Sequence, residues 1–145
     1  MPTELGRRFP VSWEGKPAGM LEPDIPVWYR FLRKYGYGFL GVYYNSYFGG
    51  PWLTREQEED PMMRMWRAKN VKRTDAIAEL ENEIWIIEVA AYPGQRSLGQ
   101  LLNYQTMWLE DPKIEKMERL VLVCERIDPD IGATYAKFGV MIYIV

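Results

Sequence analysis

The sequence contains no histidine and only one cysteine. Without an imidazole there can be no Ser-His or Cys-His catalytic pair and no His-ligated metal site. One thiol forms no internal disulfide, and Cys124 lies in the apolar run "LVLVC", where it reads as a small buried residue. Any metal must therefore be held by oxygen, which selects hard divalent cations such as Mg²⁺, Mn²⁺ or Ca²⁺. No apolar run approaches the length of about 18 residues that spans a bilayer, so no membrane partner is expected. The opening "MPTELGRRFP" lacks the apolar core of a secretory leader, and a cytoplasmic location is expected. A large charge of one sign is also missing. The net charge is -2, so the molecule as a whole does not advertise a polyanionic partner, and any such signal must be local.

What is present is globular material. The 145 residues are 48% hydrophobic and 26% charged, which fits a single domain with a real core spanning residues 1–145. Six Trp and ten Tyr are many for this length. Most suit a core, but Trp13, Trp28, Tyr43, Tyr44 and Trp52 are candidates for an exposed aromatic patch that binds a partner.

Residues 1–23 are rich in Pro and Gly without a period and read as an irregular arm. Asp24 is placed to cap a helix through "DIPVWYRFLRKYG", which Gly36 ends. "YGFLGVYYNSYFGG" reads as a strand and turn, and "TREQEEDP" as a polar loop or short helix. "MMRMWRAKNVKR" carries five basic residues from Arg64 to Arg73. "VKRTDAIAEL" alternates with Asp75, Ile77 and Glu79 on one side, and "IWIIEV" is a near-continuous apolar strand suited to a sheet covered on both faces. The two form a hairpin. "SLGQLLNYQTMWLED" follows as a helix with Ser97 as N-cap, then strand "LVLVCE", a short helix closed by Gly139, and strand "VMIYIV". The order β-β-α-β-α-β describes an α/β sandwich with a mixed sheet.

Two carboxylates stand out. A hairpin turn over residues 81–83 sets Asp75 opposite Val89 and leaves Glu88 one residue from facing it, so a bulge or slip would converge the two acids. Together with a backbone carbonyl such as that of Val89 they could hold a divalent cation. Glu88 ends a strand of Trp and Ile, where an unpaired carboxylate is costly, so it needs a cation or a donor, with Arg73 or Arg96 as the arginine alternatives. Gln100 and Tyr104 share one helical face at i and i+4.

In order and spacing, "RTDAIAELENEIWIIEVA" followed by "LGQLLNY" resembles the core of the PD-(D/E)xK nuclease superfamily, in its RecB-like branch. The resemblance spans about half of the chain, from Arg73 to Val145. It implies a restriction-endonuclease-like α/β sandwich with a central mixed β-sheet flanked by helices, and Mg²⁺- or Mn²⁺-dependent cleavage of DNA. It implies that Asp75, Glu88 and Val89 hold the metal, and that Gln100 and Tyr104 position substrate or catalytic groups. Arg64, Arg67, Lys69, Lys72, Arg73 and Arg96 are the residues expected to track phosphates. Small proteins of this pattern are frequent in bacteriophages, so a viral origin, with a location in host cytoplasm or virion, is a further expectation.

The pattern departs from the family at one position, because the family's lysine falls on Ala90. Alanine can neither orient an attacking water nor stabilise charge on phosphate, which commonly removes about 10²–10³ in rate. Three explanations stay open: a deliberate inactivating replacement, a cation that has moved to Arg96, Arg73 or Lys72, or a degenerate nuclease fold. The last would serve as a viral structural, assembly or host-interaction module, as a homo-oligomer or with a protein partner.

Overall fold

A computed structural model describes residues 3–145. Its centre is a six-stranded mixed sheet in the order β1 (Arg8–Phe9), β2 (Gly41–Tyr44), β5 (Ala76–Glu79), β6 (Glu83–Ala90), β7 (Met117–Cys124), β8 (Met141–Ile144). From β1 to β6 neighbouring strands are antiparallel, and from β6 to β8 they are parallel. β6 is thus the strand at which the sheet changes character.

Side-chain alternation along these strands divides the core in two. Ala76, Ala78, Ile87, Val89, Val121 and Val123 face α1 (Ile25–Tyr35), which contributes Val27, Trp28, Phe31 and Leu32. Ile77, Ile84, Ile86, Leu120, Leu122 and Cys124 face the other way, under α4 (Gln95–Glu110) and α5 (Pro129–Lys137). Both faces of β6 and of the Leu120–Cys124 part of β7 are covered, which is why these stretches are near-continuous apolar runs. The α/β architecture with a mixed sheet agrees with the expected pattern, and the later chain follows the predicted element order. No helix among the described residues is long and apolar enough to cross a membrane.

Four local expectations are corrected. The arm is not irregular throughout: β1 is an edge strand, Glu4 bridges Tyr47, the Thr3 N–H donates to Asp111, and Met20 is buried. α4 begins two residues before Ser97, behind Gly94. The "strand and turn" splits at Asn45, whose φ of 55° breaks the ladder between β2 and the short β3 (Tyr47–Phe48). The aromatic patch dissolves, since Trp28 and Tyr44 are buried and hydrogen-bonded to each other, and Trp13 packs on Phe9 and Tyr44. Of the aromatic residues named for it, Trp52 alone is largely exposed.

Between β3 and the hairpin the chain makes a helical excursion. α2 (Arg55–Glu58) is started by a reciprocal Thr54–Gln57 capping box, and α3 (Pro61–Asn70) by the Asp60 carboxylate accepting from the Met62 N–H. The inward anchor of α3 is not apolar. Arg67 is 5% exposed, and its guanidinium donates to the carbonyls of Gly49 (3.1 Å) and Pro51 (3.0 Å) and pairs with Glu4 (3.3 Å). Strand β4 (Lys72–Arg73) pairs with β3 and leads into the hairpin. Arg67→Ala strands two carbonyls and is expected to lower unfolding free energy by about 2–3 kcal/mol, whereas Lys69→Ala on the exposed side changes it by less than about 0.5 kcal/mol. Urea denaturation of the two variants measures the difference.

Candidate acidic site and basic groove

The hairpin decides where the acids meet. The Leu80 N–H donates to the Glu83 carbonyl, closing a two-residue turn at Glu81–Asn82, one residue tighter than the sequence suggested. That turn sets the register Ala76↔Ile87 and Ile77↔Ile86. One step further, Asp75 comes opposite Glu88, not Val89. Opposed residues in an antiparallel pair share a face, so both carboxylates lie on the α4 side of the sheet, in line with Ile77 and Ile86. Thr74, buried beside them, fixes the strand end by donating to the Ile87 and Ala76 carbonyls.

The second shared edge is the backbone. Asp75 Oδ2 accepts the Val89 N–H at 2.8 Å. In a strand a residue's N–H and C=O leave on the same edge, so the Val89 carbonyl faces the Asp75 side as well. Asp24, expected as a helix cap, makes no capping bond. Its carboxylate accepts the Ala91 N–H at 3.0 Å and stands third at this strand end, a group that sequence reading placed only at the start of a helix.

α4 closes the site from above. Arg96, Gln100 and Tyr104 recur at one-turn spacing on its inner edge. Tyr104 is buried against Phe48, and its hydroxyl donates to the Arg73 carbonyl at 2.7 Å, holding the strand that carries Asp75. A cavity of about 330 Å³ gathers Asp24, Asp75, Glu88, Val89, Ala90, Arg96, Gln100 and Tyr104, with Gly19 and Leu21 of the arm as its far wall. It adjoins a groove of about 570 Å³ that shares Arg73, Arg96, Gln100 and Tyr104 and adds Lys72 and Asn103.

The electrostatics of the pair follow from burial. Glu88 is 8% exposed. Loss of hydration pushes its carboxyl far above the usual range, and the facing Asp75 pushes it further. Asp75 is raised as well, by burial first, with the Val89 N–H opposing. The Tyr104 phenol is raised by burial and by both acids, and Arg96 pulls it the other way. Among the described residues, neither Asp75 nor Glu88 has a basic group within ion-pair distance. Burial and the facing charge thus favour one shared proton over two free anions.

Hard oxygen donors facing one another without a counter-charge match what a divalent cation requires, so the residues fit such an ion. The fit rests on two side chains and backbone oxygen, since no group of three or more acidic or thiol side chains among the described residues is close enough to enclose an ion alone.

The basic residues separate into two sets, with Lys69 exposed outside both. Lys72, Arg73 and Arg96 line the groove. Arg64 and Arg67 line a different cavity with Glu4, Tyr47 and Leu53. Arg67, expected to touch phosphate, is instead buried on carbonyls and Glu4. Arg73 donates to the Ala68 carbonyl and lies over the Tyr47 ring, which draws its guanidinium away from the acids. Comparison with family models, with curated proteins and with solved structures returned no match.

A raised carboxyl has a definite linkage sign. Between the ordinary carboxyl range and its raised folded value, the folded state binds more protons than the unfolded one, so stability falls as pH rises. The metal-free protein is expected to lose melting temperature from about pH 5 to pH 8. Glu88→Gln, which keeps shape and removes the charge, is expected to flatten that decline and to raise stability at pH 8 by about 1–2 kcal/mol. Calorimetric melting across that range checks it.

Proposed function

We propose that this chain is a divalent-metal-dependent nuclease of the PD-(D/E)xK type on a restriction-endonuclease-like sandwich, acting on DNA. The observation that carries the reading is the uncompensated Asp75–Glu88 pair at the end of β6, at the mouth of a groove whose walls bear no carboxylate. The groove is lined by Lys72, Arg73 and Arg96 and by no acid, in a protein of net charge -2. A phosphate backbone is attracted along such walls and reaches the acids only where a cation bridges the like charges.

Asp75, Glu88 and the Val89 carbonyl would hold Mg²⁺ or Mn²⁺, with Asp24 beside them. When bound, the cation supplies charge neutralisation at the phosphate and a lower pKa for the attacking water. The remaining roles belong to the chain. Gln100, lining both cavity and groove, offers an amide to a phosphate oxygen. Tyr104 keeps its proton and holds the Asp75 strand through the Arg73 carbonyl. Arg96 takes the part that alanine at position 90 cannot play. It is exposed, lines the acidic cavity, and unlike Arg73 has no hydrogen bond or ion pair to a described residue. Lys72 lines the outer groove only.

Ala90 favours a second reading. It borders the cavity on the same face as Glu88, where a catalytic cation would be expected, and so supports a non-catalytic module on the same fold, with a viral or host partner. Nicking of plasmid and single-stranded DNA in millimolar Mn²⁺ separates the two. The nuclease reading predicts cutting that Asp75→Asn or Glu88→Gln abolishes, that Arg96→Ala lowers about 10²-fold, and that Ala90→Lys raises by a similar factor. If neither the present chain nor Ala90→Lys cuts any DNA, the enzymatic reading is overturned and the module remains.

A further inference from the structure

The exposed face of α3 is unusual for a helix of a small domain. Its buried anchor is Arg67, while Met62 (78%), Met65 (59%) and Trp66 (49%) are turned to solvent. Large apolar side chains exposed side by side mark a contact surface. Their setting says what kind. Trp66, Lys69 and Asn70 share one helical face, and the Asn70 side chain donates to the Trp66 carbonyl. The chain then passes directly into Val71, Lys72 and Arg73, which form a wall of the groove, and Arg73 is tied back to α3 through the Ala68 carbonyl. An indole, an exposed lysine and a row of groove cations thus lead in sequence towards the acidic pair.

We propose that this path binds single-stranded DNA, with Trp66 as the platform on which a base stacks while Lys69, Lys72 and Arg96 track the phosphates. The proposal rests on the nuclease reading and specifies its substrate. The apolar component decides between strands. A duplex hides the faces of its bases and gains from the cations alone, whereas a single strand presents bases that stack on an aromatic ring without sequence preference. The charge decides against self-association. A second copy of this face would bring like charge against the exposed Arg64, Lys69 and Lys72, with no acid between Pro61 and Arg73 to offset them.

The test is fluorescence anisotropy of the full chain with labelled dT20 and with a duplex of equal length, in metal-free buffer so that nothing is cut. The wild type is expected to bind dT20 more tightly than the duplex. Trp66→Ala is expected to weaken dT20 binding about tenfold and duplex binding less than about twofold, and Trp66→Phe to restore most of the loss. Equal effects on both DNAs, or none on dT20, overturn the proposal, as does a dimer in sedimentation that Trp66→Ala dissolves. The two readings fail separately. Asp75-dependent cutting with no effect of Trp66→Ala leaves the nuclease and removes the stacking site. Trp66-dependent binding of dT20 without cutting by any variant leaves the stacking site and removes the catalysis. A wild type that binds neither DNA in metal-free buffer removes the stacking site and leaves the catalysis to the nicking assay.

Discussion

The site depends on two buried carboxylates that the backbone does not allow to separate. Asp75 and Glu88 sit opposite each other on the covered face of a sheet, one held by the Val89 N–H and the other at the end of an apolar strand. Burial and mutual charge favour a shared proton or a bound cation over two free anions. A pair left in that state does not help the fold. Sites that store such strain are where chemistry is found, because the missing charge is one that a ligand can supply.

The rest of the architecture keeps the pair in place. The Leu80–Glu83 turn sets the register, Thr74 braces the strand end, and the Tyr104 hydroxyl fastens the Arg73 carbonyl. None of these groups needs to touch a substrate. The parallel half of the sheet brings α4 across the strand ends, so Arg96, Gln100 and Tyr104 arrive above the acids from one helix. Val71, Lys72 and Arg73, where the helical excursion returns to the sheet, build the second, acid-free wall. The arm supplies the last side through Gly19, whose φ of 77° lets the chain turn against the Asn45 side chain.

Much of this was legible in the sequence, for reasons that can be named. β6 and the Leu120–Cys124 part of β7 were clear because both faces are buried, and α4 because its apolar residues recur at helical period. The placing of Gln100 over the acids followed from that period. The register was missed by one residue because strand alternation fixes which residues share a face but not the number of residues in a turn. Arg67 was misjudged because a basic run looks the same whether its members are solvated or bonded to buried carbonyls. Asp24 was read as a cap, since local sequence cannot show an acid accepting from the Ala91 N–H, 67 residues away. The exposed Met and Trp of α3 gave no warning either, because an apolar helical stripe normally faces a core.

The most direct measurement counts protons. Calorimetric titration of Mn²⁺ into the metal-free chain, repeated near pH 7 in buffers of different ionisation enthalpy, gives both the stoichiometry and the protons released on binding. If Asp75 and Glu88 share a proton that a cation displaces, one ion binds, about one proton is released, and Asp75→Asn removes the binding. No binding, or binding that releases no proton and survives Asp75→Asn, would contradict the account.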